Sequence, residues 1–84
     1  MKDYVIIETQ STGEMLVHAV GERHSMLIRA NLLQIAFSSI PSQKSEYNVY
    51  SLDAMEVSPN EIVTATQPQL ERLVKNYVGV LETL

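Results

Sequence analysis

From Arg23 to about Ile40 the apolar residues spread around more than half the circumference of a helix. At about 100° per residue, Met26, Ala30, Leu33, Phe37 and Ile40 share one face. Ile28, Leu32, Ile35 and Ala36 form an adjoining arc, and only Arg23, His24, Asn31, Gln34 and Ser38 keep a polar strip. A helix resting on a sheet needs one apolar stripe. This one has enough for two contacts, so Ile28, Leu32, Ile35 and Ala36 are the candidate interface. The second helix, another copy of the chain, or a different protein could cover it.

Elsewhere the pattern shortens to strand-like runs. Tyr4–Thr9 is β-branched and aromatic, with Tyr4 and Ile6 pointing one way and Val5 and Ile7 the other. Apolar residues on both faces place this strand centrally, covered on both sides. Gln10-Ser11-Thr12-Gly13 suits a hairpin loop, after which Met15–Val20 returns with Leu16, His18 and Val20 on one face. Pro41 stops the long helix, and 41–45 is a polar loop. Tyr47–Leu52 reads as a third strand. Ser58-Pro59-Asn60-Glu61 fits a turn and equally a capping box that opens a helix. The β-branched run Ile62–Thr66, cut short by Pro68, favours the turn and a fourth strand. Thr66-x-x-Gln69 then caps a last helix in which Leu70, Leu73, Val74, Tyr77, Leu81 and Leu84 recur at helical spacing. Glu71 and Lys75 form a favourable outer pair, and Gly79 weakens the helix's far end.

The order ββαββα predicts a small two-layer α+β domain over 1–84, a mostly antiparallel sheet of about four strands with two helices on one face. A chain of 84 residues buries only about 60% of its unfolded surface. It has no cysteine and therefore no disulfide or thiolate metal site, a condition under which small domains often gain stability by oligomerising. No run approaches a membrane span and no signal-peptide pattern opens the chain, so a cytoplasmic setting is expected. Six scattered cations against ten carboxylates, net −4, argue against nucleic-acid binding.

Candidate chemistry is sparse. His18, Glu22 and His24 carry groups that bind metal or move protons, but in no metal-ligand spacing. Asp53, Glu56 and Glu61 lack the alternation of a calcium loop. The serines Ser38, Ser39, Ser42, Ser45 and Ser51 lie in no nucleophile elbow. Tyr4, Tyr47, Tyr50 and Tyr77 lack the interleaved cations of a base-stacking surface and read as packing residues. Arg23, His24, Ser25 and Arg29 at the helix start are the candidate ligand-binding residues for a small anion, with Ser25 alternatively an ordinary N-cap. No catalytic residue, metal or cofactor is expected. The pattern points to a small non-enzymatic interaction or regulatory protein acting as a homodimer. A monomeric module docking another protein is the alternative, and an anion binder the third.

Overall fold

The computed structural model describes residues 3–38 and 45–77, with backbone alone at 37 and 38. In chain order these form β1 (Tyr4–Gln10), β2 (Met15–Gly21), α1 (Arg23–Ser38), β3 (Ser45–Ser51), α2 (Leu52–Met55), α3 (Pro59–Val63) and α4 (Gln67–Lys75). The strands make an antiparallel sheet in the order β2-β1-β3. Of the expected loop 41–45, positions 41–44 lie outside the described residues, as do Ile40, Gly79, Leu81 and Leu84, and Ser45 already belongs to β3.

Central β1 organises the packing. Val5, Ile6 and Ile7 are wholly buried, and their side chains alternate across the sheet. Ile6 packs with Val49 against Met26, Leu27 and Ala30 of α1. Val5 and Ile7 pack with Tyr50 against Leu52, Met55, Ile62 and Leu70. So α1 covers one face, and α2, α3 and α4 cover the other. The expectation of two helices on one face is corrected: an apolar β1 needs a lid on each side, which makes three layers.

The expected fourth strand is also replaced by helix. Ser58 Oγ accepts from the Glu61 N–H and Glu61 Oε1 from the Ser58 N–H, both at 3.2 Å, with Pro59 at the first position of α3. This reciprocal cap, together with burial of Ile62, overrides the β-branched propensity of 62–66. Leu52 likewise leaves β3 early, because Ser51 Oγ accepts from the Ala54 N–H and opens α2. The last helix begins as expected, with Gln69 Oε1 accepting from the Thr66 N–H at 2.8 Å. At α1 the helix already starts at Arg23, so Ser25 sits inside the first turn and is no N-cap.

On each outer strand a glutamine side chain engages two backbone groups of the free edge. The Gln67 amide accepts from the Met15 N–H at 2.9 Å and donates to the Met15 carbonyl on β2. The Gln34 amide of α1 accepts from the Tyr47 N–H at 3.1 Å and donates to the Ser45 carbonyl at 3.2 Å on β3. Each side chain stands where the next strand's peptide would be. Tyr77 adds a third contact, its hydroxyl accepting from the Ser51 N–H at 3.0 Å. Exposed edges invite pairing with other chains, and these contacts occupy them at Met15, Ser45, Tyr47 and Ser51. Among the described residues no helix is long and apolar enough to cross a membrane.

Two stability outcomes follow. Gln67→Leu leaves both Met15 backbone groups without their partner and should lower the unfolding free energy by about 1–3 kcal/mol in urea denaturation. Glu56 closes α2 at φ 59°, the one described non-glycine residue in the left-handed region. Glu56→Gly should therefore stabilise the fold by about 0.5–1 kcal/mol in the same assay.

Candidate functional site

The expected candidates lead to two places among the described residues: a buried carboxylate on the α1 side of the sheet, and the outer surface of α1 itself.

The first is created by an irregularity in β2. Ile6 pairs with Ala19 and Ile7 with Val17, which leaves His18 as an extra residue. Such a bulge re-aims side chains. Val20 turns with Met15 and Val17 toward the α2–α4 side, while Ala19 joins the α1 side. The expectation that His18 faces with Leu16 and Val20 is thus half corrected, because the bulge reverses the alternation after His18. The imidazole meets Glu8, which follows Ile6 on the α1 face of β1.

Glu8 is only 8% exposed, yet both of its oxygens are satisfied. His18 Nε2 lies 2.5 Å from Oε1, and Ser45 Oγ donates to Oε2 at 2.7 Å. The Tyr47 ring packs edge-on against the imidazole, centroids 5.2 Å apart. Burial pushes the Glu8 carboxyl upward, but the hydrogen bonds from His18 and Ser45 and the charge of His18 outweigh it. Its pKa therefore falls below the ordinary 4.5. Burial and the neighbouring Glu8 charge push the Tyr47 hydroxyl above 10.0. Chemically this is not a nucleophile relay. A serine nucleophile needs the imidazole on its own hydroxyl. Here the carboxylate stands in the middle and takes both donors. The arrangement makes a buried charge tolerable and ties β1, β2 and β3 together.

The candidates expected from the sequence are brought together differently. His18 faces Glu8, whereas Glu22 and His24 are exposed at the start of α1. Asp53, Glu56 and Glu61 are dispersed over α2, its C-cap and α3, with Glu61 engaged in capping. No group of three potential metal ligands occurs among the described residues. Tyr50 is core, 4% exposed, and meets Tyr77 edge-to-face at 5.0 Å. Arg23, His24, Ser25 and Arg29 all lie on the exposed first turns of α1. Glu8 was not singled out. Its signal was available in its parity with Tyr4 and Ile6, which directs a carboxylate into a buried face.

On α1, Met26, Leu27 and Ala30 face the sheet and are at most 6% exposed. Ile28, Leu32 and Ile35 are 41%, 61% and 61% exposed, and Ala36 beside them is exposed too. At 3.6 residues per turn this stripe is centred about 180° from the core-facing residues. The described part of the last helix, α4, packs across the sheet from α1, so it does not cover the stripe. Comparison with protein-family models, with curated proteins and with solved structures finds no match to this chain.

The low Glu8 pKa sets a pH dependence. A carboxyl whose folded pKa lies below its unfolded value contributes stability above the unfolded value, and that contribution is lost as pH falls through the folded one. Wild-type stability should drop below pH 4.5 more steeply than that of Glu8→Gln, as read from urea midpoints across the acid range.

Proposed function

We propose that the protein is a small, non-enzymatic interaction or regulatory protein that acts as a homodimer through the outer stripe of α1. One observation carries the reading: Ile28, Leu32 and Ile35 form a continuous exposed apolar row on a helix whose opposite side is already buried. Single exposed apolar residues are ordinary, but a row of them on one helix is a contact surface.

The row's own charges favour a second copy packed antiparallel. The charged side chains of α1 are cations, Arg23 and Arg29. A parallel pair would set each arginine level with its mate, and like charges repel. An antiparallel pair with its two-fold axis at Leu32 sets Leu32 against its mate and Ile28 against Ala36. Arg29 then stands level with Ile35. That arrangement is isologous and closes on itself. Packed helices of this kind approach to about 8–10 Å, a spacing that suits the alanine and the aliphatic row.

Leu32→Glu is the test, because the position is exposed and the fold does not need it. Light scattering and native mass spectrometry should find a dimer for the wild type and a monomer of unchanged circular dichroism for the variant. Association should weaken roughly 30-fold or more, the size of a 2 kcal/mol hot spot. A variant that stays assembled places the interface elsewhere. A monomeric wild type sinks self-association and leaves docking of a different protein on the same row.

A further inference from the structure

On the face of the sheet opposite α1, the short helices leave a groove built from two concavities that meet at Arg72 and Leu73. One, of about 340 Å³, runs from Glu56 to Tyr77 over a floor that includes Met55 and Leu73. The other, of about 360 Å³, continues between α3 and α4. Each lies at the small end of ligand-site volumes, roughly 300–1,000 Å³.

The polar groups divide sharply between the two. Apart from Arg72, which lines both, the polar side chains of the second concavity hold backbone groups: Glu61 Oε1 accepts from the Ser58 N–H, Gln69 Oε1 from the Thr66 N–H, and Thr64 Oγ1 donates to the Asn60 carbonyl. What this concavity adds for a guest, beside Arg72, is an apolar wall of Val57, Ala65 and Leu73. In the first, opposite charges stand unused. Neither the Arg72 guanidinium nor the Glu56 carboxylate has a partner among the described residues, and no ion pair joins them although both line one concavity. Glu56 is held on that wall in the left-handed conformation by its N–H, which donates to the Asp53 and Leu52 carbonyls. A glycine would adopt this backbone at lower cost, so the position keeps a carboxylate against a conformational penalty.

We propose that the groove binds a free apolar α-amino acid. Arg72 takes the carboxylate, for which its planar fork is matched. Glu56 takes the ammonium, and the side chain crosses Leu73 into the apolar second concavity. A single anion would use Arg72 alone, and a single cation Glu56 alone. Only a zwitterion of this size answers both charges and the wall beyond them. The site is independent of the α1 row, from which the sheet separates it.

L-Leucine is the probe, titrated into the full chain up to about 20 mM, a range that detects millimolar affinity. Amide NMR shifts and calorimetry report the binding. Shifts should concentrate at 54–57, 61–65 and 69–77. Arg72→Gln and Glu56→Gln should each weaken binding about tenfold or more while leaving circular dichroism unchanged, since both side chains are exposed. N-acetyl-leucine, which lacks the ammonium, and leucinamide, which lacks the carboxylate, should weaken it likewise. Absence of shifts at the top concentration overturns the proposal. So does binding that ignores either substitution, or N-acetyl-leucine binding as well as leucine.

Discussion

The burial of β1 on both faces is the constraint from which the rest of this structure follows. Val5, Ile6 and Ile7 are consecutive and all fully buried, so each face of the central strand requires its own cover. Burying such side chains is worth about 1.5–3 kcal/mol each, a large fraction of the stability of so short a chain. One face is met by a single long helix. The other is met by three short ones, whose capping residues fix where each begins: Ser51 for α2, Ser58 for α3 and the Thr66–Gln69 pair for α4. The same strand order leaves β2 and β3 with open edges. The side-chain amides of Gln67 and Gln34 take up part of them, and these amides also fasten α4 and α1 to the sheet they cover.

Glu8 shows what the constraint demands of a polar residue. It follows the buried run on the α1 face, where a carboxylate without donors would be costly. Its neighbours on β2 and β3 supply the donors, but a regular β2 would not have brought both His18 and Ala19 to that face. The extra residue at His18 does so: it keeps Ala19 packed with Ile6 and still aims the imidazole at Glu8. The bulge is thus the device by which an edge strand serves an apolar core and a buried charge at once. It also bends the β2 edge, which makes that edge a poorer template for another strand.

The sequence made β1, β2, the Gly13 turn, the long helix and the start of α4 legible, because each carries either a clear period or a local cap. Gly13 takes φ +93° as its place in the hairpin requires. Two things were not legible. The stretch 52–66 carries β-branched residues whose propensity competes with the caps at Ser51 and Ser58, and only the burial of Leu52, Met55 and Ile62 decides for helix. The bulge leaves no trace in composition, so the facing of Val20 and Ala19 and the Glu8–His18 contact were out of reach. The second apolar arc of α1 is the surface that stays exposed, although the alternative cover by the last helix required knowing on which side of the sheet that helix packs.

That side matters beyond bookkeeping of contacts. Had α4 lain beside α1, the row of Ile28, Leu32 and Ile35 would have been an ordinary core seam, and the groove at Arg72 would not exist. With α4 across the sheet, α1 has a core-facing side and an outward apolar side about half a turn apart. The short helices, too brief to seal their face, leave a cleft in which two opposite charges have no partner among the described residues. Both surfaces therefore trace back to the same cause: a strand apolar on its two faces, covered generously on one and sparingly on the other. Any coupling between them has to pass through the sheet, where Ile6 and Val49 touch α1 while their neighbours Val5, Ile7 and Tyr50 touch the helices opposite. A close-packed strand of this kind transmits strain rather than absorbing it, so the two faces are mechanically joined even where no polar contact links them.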